Sequence, residues 1–252
     1  MKLLIDIGNS RIKWATLVRG KLHPGGDAPR PADENAVAAC AAQLWEDVKK
    51  PKSVVVSNVA GLAFAASLGE WIEAYWEVQP HFVVSEQTAF GVTNAYTVPE
   101  RLGPDRWAAL IAARHRSDGA ACIVDAGTAV TIDVLAADGA HQGGLIIPGL
   151  DMMRRALLER TQDIQPASAE PAHGNRALLA RDTRDGVDGG TLYTLVAVID
   201  RVTADVSAEL GGEPARFISG GNAADLLPLL AGDYHHVPEL VLEGLAVIAE
   251  KL

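Results

Sequence analysis

Leu3-Leu4-Ile5-Asp6-Ile7-Gly8-Asn9-Ser10-Arg11-Ile12-Lys13-Trp14 reads as a buried strand, a tight turn and a returning strand, with an acid near the bend. Gly8 carries no Cβ, and Asn9 and Ser10 favour turns, so backbone N–H groups can approach a polyanion closely at this bend. Phosphate is the natural guest of such a concavity. An ordinary hairpin would have the same local pattern. The chain, however, repeats the device: Ile123-Val124-Asp125-Ala126-Gly127-Thr128-Ala129-Val130-Thr131-Ile132-Asp133 again sets apolar residues, Asp, any residue, Gly and a polar residue before a β-branched run.

Outward from these two bends, strands and helices alternate. Residues 21–31 read as a Gly/Pro-rich connection, 32–50 as an alanine-rich helix and 54–57 as a buried strand. Residues 62–76 read as a helix with Leu62, Ala65, Leu68, Ile72 and Tyr75 on one face. A short strand is expected over 81–84, and 90–99, which lacks periodicity, reads as a loop over a pocket. A helix follows from Pro104 to about Arg116. In the second half come two strands around the bend, a third over 143–147, a helix opened by Pro148 and an exposed loop over 163–175. A long helix over 189–210, a strand ending in Ser219-Gly220-Gly221-Asn222, a helix over 223–230 and a last helix over 239–251 complete the chain. The two halves are read as sharing one order, β-β-β-α-β-α-β-α. It predicts an α/β fold of two similar lobes, 1–118 and 119–252, facing each other across a central cleft, with ligand sites at strand ends.

The 22 basic and 32 acidic residues leave a formal net charge of −10, which argues against an extended nucleic-acid surface. A small molecule is the expected partner, anionic only where cations such as Lys13 and Arg106 outweigh the general field. Two cysteines without motif spacing, Cys40 and Cys122, read as small buried hydrophobes of a reducing compartment. The first strand begins at Lys2, leaving no room for a signal peptide. The longest apolar-leaning stretch, 54–68, is interrupted by Ser57 and Asn58 and too short to span a bilayer. A cytoplasmic protein with no membrane partner is expected.

Gly103-Pro104-Asp105-Arg106 opens a helix. Asp105 has an ordinary reason to be there, because it satisfies free N–H groups and the dipole. Arg106 does not, and a ligand or an acidic neighbour is its expected reason. Trp45, Trp71, Trp76 and Trp107 fall at helical positions and read as packing residues. His235-His236 makes a poor metal site, because adjacent strand residues point to opposite faces.

Taken together, Asp6-Ile7-Gly8-Asn9-Ser10 with Lys13, Gly103-Pro104-Asp105-Arg106, Asp125-x-Gly127-Thr128-Ala129-x-Thr131-x-Asp133, Gly143-Gly144-x-Ile146-x-Pro148-Gly149 and Ser219-Gly220-Gly221-Asn222 resemble the type III pantothenate kinases, in order and over essentially the whole chain. The resemblance implies a duplicated actin-like (ribonuclease H-like) ATPase fold and ATP-dependent phosphorylation of pantothenate, the first step towards coenzyme A. It implies that the run Asp6, Ile7, Gly8, Asn9, Ser10, Arg11, Ile12 and Lys13, with Thr128, Gly220 and Gly221, binds ATP. It assigns Asp105 as the catalytic base and Tyr96, Gly103, Pro104, Asp105, Arg106 and Thr183 as substrate contacts, with Thr183 supplied by the partner of a homodimer. Magnesium falls to Asp6, and a monovalent cation, potassium or ammonium, to Asp125. A relative in the same family is described as an accessory factor in toxin-gene expression. The alternative is therefore a non-catalytic nucleotide-binding regulator on the same fold.

Overall fold

The computed structural model describes residues 1–160 and 179–252, and the loop expected over 163–175 lies outside them. Strands β1 (Lys2–Ile7), β2 (Arg11–Val18), β3 (Lys21–Pro29), β4 (Val54–Asn58) and β5 (Pro80–Phe82) form a sheet in the order β3-β2-β1-β4-β5. A small hairpin, β6 (Thr88–Ala89) and β7 (Val92–Thr93), follows. Strands β8 (Ala121–Ala126), β9 (Ala129–Leu135), β10 (His141–Pro148), β11 (Ala215–Ser219) and β12 (His235–His236) form the second sheet, β10-β9-β8-β11-β12. The two orders are the same, strand for strand. Each Asp-x-Gly bend joins the first two strands of its sheet.

The helices are α1 (Val37–Leu44), α2 (Leu62–Trp76), α3 (Pro104–Arg116), α4 (Leu150–Arg160), α5 (Thr183–Leu210), α6 (Ala223–Leu226) and α7 (Leu240–Glu250). Contacts divide the chain into two compact units, one of residues 1–121, 135–143 and 239–252, the other of 122–134 and 144–238.

In the first unit β1 is covered on both faces, which is why its sequence is nearly all apolar. Leu3, Ile5 and Ile7 join Val54, Val56, Trp45, Phe64, Leu68, Ile72 and Trp76 in one cluster under α1 and α2. The alternate residues Leu4 and Asp6 face the other way, because side chains alternate along a strand. On that side α7 packs against β1 and α3 against β4. The α3–α7 crossing is close: a Cβ on Gly244 would fall 1.9 Å from Ala108 O. In the second unit Cys122, Val124, Val130, Ile132 and Ile218 pack against Leu150, Leu192, Leu195, Ile199 and Leu226. Burial pushes the Cys122 thiol up to about 11, so it stays protonated and acts as a small hydrophobe. Cys40 is half-buried.

Several local expectations are corrected. Residues 21–29 are the edge strand β3, not a connection. The Trp14 indole lies flush against Gly25 and Gly26, where added Cβ atoms would sit 2.4 and 2.5 Å from ring atoms. The indole thus fills the space where side chains would stand, and an edge position tolerates Pro24 and Pro29. The helix expected over 32–50 is only a 3-10 turn, Glu34–Ala36, and α1. On α2, Leu62 and Tyr75 are 90% and 56% exposed; the buried stripe is Phe64, Leu68, Ile72 and Trp76, which follows the larger side chains. The expected loop 90–99 begins with a tight hairpin turn whose central residues, Phe90 and Gly91, both have positive φ. Pro148 closes β10 instead of opening α4. Helix α5 starts six residues earlier than expected because Asp182 caps it, accepting from Asp185 N at 2.9 Å. Trp45, Trp76 and Trp107 are buried packing residues, as read, and His235 and His236 are exposed in β12. Among the described residues no helix is long and apolar enough to cross a membrane.

Candidate active site

At the first bend Gly8 N donates to Arg11 O at 2.9 Å and closes the turn, leaving Asn9 and Ser10 exposed at its tip. Arg30, directly after β3, holds the tip from the side: its N donates to Ser10 O and its Nε to Asn9 O, each at 2.9 Å. Arg11 Nε meets Asp27 Oδ1 at 2.6 Å. These bonds tie down the carbonyl oxygens that would repel an anion, and Arg30 adds positive charge beside the turn. The ladder pairs Lys13 with Asp6, and Asp6 with Ser57 on β4, so the three form one row on one face of the sheet. Ile7 and Ile12 are also paired, but their side chains are buried in the core.

The mouth of α3 comes to the end of the same strand. Val59 N donates to Ile7 O at 3.0 Å, while Val59 Cγ1 lies 3.9 Å from where a Gly103 Cβ would be. Pro104 occupies the first helical turn, where its missing N–H costs nothing. Asp105 Oδ1 accepts from Arg106 N at 2.8 Å. A Cβ on Gly103 would fall 2.4 Å from that Oδ1, so the glycine makes room for the carboxylate in its present orientation. Ser85 Oγ, buried, donates to Leu102 O at 2.8 Å and anchors the approach to this turn. Arg106 is only 7% exposed. Its Nη1 donates to the Tyr96 hydroxyl at 2.8 Å, and its guanidinium carbon lies 5.7 Å from the Tyr96 ring centre. Tyr96, neither a ligand nor an acidic neighbour, is thus one partner of Arg106.

In the second unit the bend at Asp125 is built around glycines. Gly220 has φ +91°, and a Cβ there would lie 2.5 Å from Asp125 Oδ1 and 2.4 Å from the Ala126 carbonyl carbon. Only glycine lets the end of β11 pass beside that half-buried carboxylate. Asn222 N donates to Ala126 O at 3.0 Å and fixes the crossing. Gly221 has open space around its Cα. Thr128 is exposed at the turn, which Gly149 clamps from beneath: Gly149 N donates to Thr128 O at 3.1 Å, and a Cβ on Gly149 would be 2.4 Å from that oxygen. The Pro148-Gly149 pair therefore sets the shape of the second bend.

Thr183 opens α5, exposed on a groove of about 670 Å³ between α4 and α5 that Met152, Met153, Leu157 and Val187 line. Sequence reasoning missed two residues. Arg30 was hidden because its strand was read as a connection, and His141 because its β-strand context gives no signal; its ring stacks with Tyr96 at 6.2 Å.

A sequence model of the family described as type III pantothenate kinase matches residues 2–205. A type III pantothenate kinase of Nitrosococcus oceani is 44% identical over 99% of this chain and 94% of its own length. Among solved structures, a protein from Campylobacter jejuni described as a Baf family transcriptional activator superposes with TM-score 0.61 at 19% identity, covering 99% of this chain and 98% of its own. One from Sinorhizobium meliloti described as a 2-dehydro-3-deoxygalactonokinase gives 0.55 at 13%, covering 100% and 99%. At those identities the two structures speak for the fold alone, the duplicated α/β fold of actin-like ATPases and sugar kinases. With the family's pattern running through both bends and the mouth of α3, the chain belongs to the type III pantothenate kinase family.

Proposed function

We propose that this chain transfers the terminal phosphoryl group of ATP to the terminal hydroxyl of pantothenate, with Asp105 as the base. The observation that carries the reading is the α3 mouth: an acid and a buried arginine, held by Gly103 and Tyr96, at the end of the strand that bears Asp6. Phosphoryl transfer depends on positioning and charge stabilisation more than on covalent chemistry by the protein. Asp105 accepts the hydroxyl proton, and the N-terminal dipole of α3 favours its ionised form. Arg106, with Tyr96, presents a planar fork that fits a carboxylate. The Gly8–Ser10 turn with Lys13 is one phosphate-binding turn, and Gly127 with Thr128 is another. Gly220 and Gly221 leave room for the adenosine.

No cluster of three or more His, Cys, Asp or Glu among the described residues is placed to hold a metal ion. A magnesium ion held by one carboxylate, Asp6, together with phosphate oxygens fits that donor set. Asp125, which Gly220 passes closely, would offer a hard carboxylate oxygen that suits potassium or ammonium. When bound, the two cations neutralise charge developing on the phosphates. A coupled assay with ATP, magnesium, potassium and pantothenate tests the activity; saturable ATP binding without turnover would favour the nucleotide-binding regulator. In the same assay, replacing potassium by tetramethylammonium is expected to lower turnover several-fold, and an unchanged rate would remove Asp125 from its cation role.

We further propose that the protein is a cytoplasmic homodimer in which Thr183 reaches the partner's pantothenate. The apolar groove on which Thr183 lies supports this, with Met152 46% exposed. Sedimentation is expected to give a dimer; a fully active monomer would contradict it.

A further inference from the structure

We propose that His141 is a positioning residue for pantothenate, acting through Tyr96. The inference rests on the reading that Tyr96 and Arg106 meet the substrate. Tyr96 sits in an irregular stretch after β7 and is only half-buried, so its ring needs an external support to keep one orientation. Its backbone has one: Asn94, 3% exposed, accepts from Tyr96 N at 3.0 Å through Oδ1 and donates from Nδ2 to Pro99 O at 3.2 Å. Its hydroxyl has another in Arg106. The ring is supported by His141, whose imidazole is nearly parallel to it, 13° between planes and 6.2 Å between centroids, within the range of favourable offset stacking.

His141 is itself well placed to act as a fixed wall. It is 4% exposed, and it opens β10 directly after a segment docked on the β6–β7 hairpin. Thr93 bridges Ala140, and Thr93 N donates to Gly139 O at 2.9 Å. Gly139, with φ +88°, lies so close to Gly91 that a Cβ would be 2.1 Å from the Gly91 oxygen. All of these residues belong to the first unit. The chain therefore sets its β9–β10 turn against the hairpin that leads into Tyr96, and the histidine at the turn's end meets the tyrosine ring. Without the imidazole the ring gains freedom, and the guanidinium of Arg106 loses the hydroxyl that orients it.

The test is steady-state kinetics of His141→Ala, His141→Phe, His141→Leu, Tyr96→Ala and the double variant His141→Ala/Tyr96→Ala. His141→Ala is expected to raise KM for pantothenate about two- to ten-fold with KM for ATP unchanged, the effect of losing one aromatic pair. His141→Phe, which keeps a flat ring, is expected to restore most of the affinity, and His141→Leu, which fills space without a plane, is not. The double variant is expected to be no worse than Tyr96→Ala, because the two changes remove one coupled contact. Parent-like KM for pantothenate in His141→Ala, equal rescue by Leu and Phe, or additive effects in the double variant would each overturn the proposal. If Tyr96→Ala itself leaves KM for pantothenate unchanged, the underlying substrate reading fails, and the His141 proposal fails with it. A rise in Tyr96→Ala without one in His141→Ala removes the His141 proposal alone.

Discussion

Asp105→Asn is expected to lower turnover at saturating ATP and pantothenate by roughly 10²- to 10⁴-fold, the range typical of losing a general base, while ATP still binds. The substitution separates two roles that coincide at the mouth of α3. As a helix-opening acid, Asp105 accepts from Arg106 N. A first-turn acid of this kind contributes about 0.3–1 kcal/mol of stability. Asparagine keeps an oxygen in the same place and the same shape beside Gly103, so the thermal midpoint is expected to move little. What it lacks is a basic oxygen for the acceptor's proton. Turnover at the parent's rate would remove Asp105 from catalysis and leave it as a first-turn acid beside the helix dipole. A large fall in thermal midpoint would indicate a structural role instead.

Gly220→Ala is expected to be the most damaging single methyl at the second bend. A non-glycine residue in the left-handed region costs about 1–2 kcal/mol. Forcing a Cβ into packed surroundings adds about 1–3 kcal/mol. The obstructing atoms here are largely backbone, the Ala126 carbonyl at 2.4 and 2.5 Å, and they cannot rotate away as a side chain would. The sum, roughly 2–5 kcal/mol, is below the stability of an ordinary domain, about 5–15 kcal/mol. The variant should fold at room temperature with a lowered thermal midpoint and a displaced Asp125, so that its rate no longer responds to potassium. Gly212→Ala is the internal control, because nothing lies within 4 Å of a Cβ there. Equal damage from both substitutions, or none from Gly220→Ala, would show that the close approach of Gly220 to Asp125 has no functional consequence.

Much of this was legible from the two Asp-x-Gly bends. They announced the duplication because a buried strand followed by a glycine turn is specified by local chemistry: burial on both faces demands an apolar run, and the turn demands small or polar residues. That the two sheets share one strand order agrees with that repetition. β3 was not legible, since its glycines are explained only by the indole of Trp14, a neighbour across the sheet. For the same reason Arg30, at the end of that strand, escaped notice although it braces the first bend. The buried stripe of α2 was misplaced because periodicity alone did not distinguish Leu62 and Tyr75 from Phe64 and Trp76. At the candidate site, the motif residues Asp6, Asp105 and Arg106 were readable by type and spacing. His141 was not, because its role depends on a contact with Tyr96, 45 positions away, that no sequence pattern encodes.

The decisive measurement is a crystal structure with a non-hydrolysable ATP analogue, magnesium and pantothenate, read for the distance from the pantothenate terminal hydroxyl to the Asp105 carboxylate. A kinase built as described here gives a hydrogen bond, about 2.6–3.2 Å. A hydroxyl out of reach of Asp105 would contradict it.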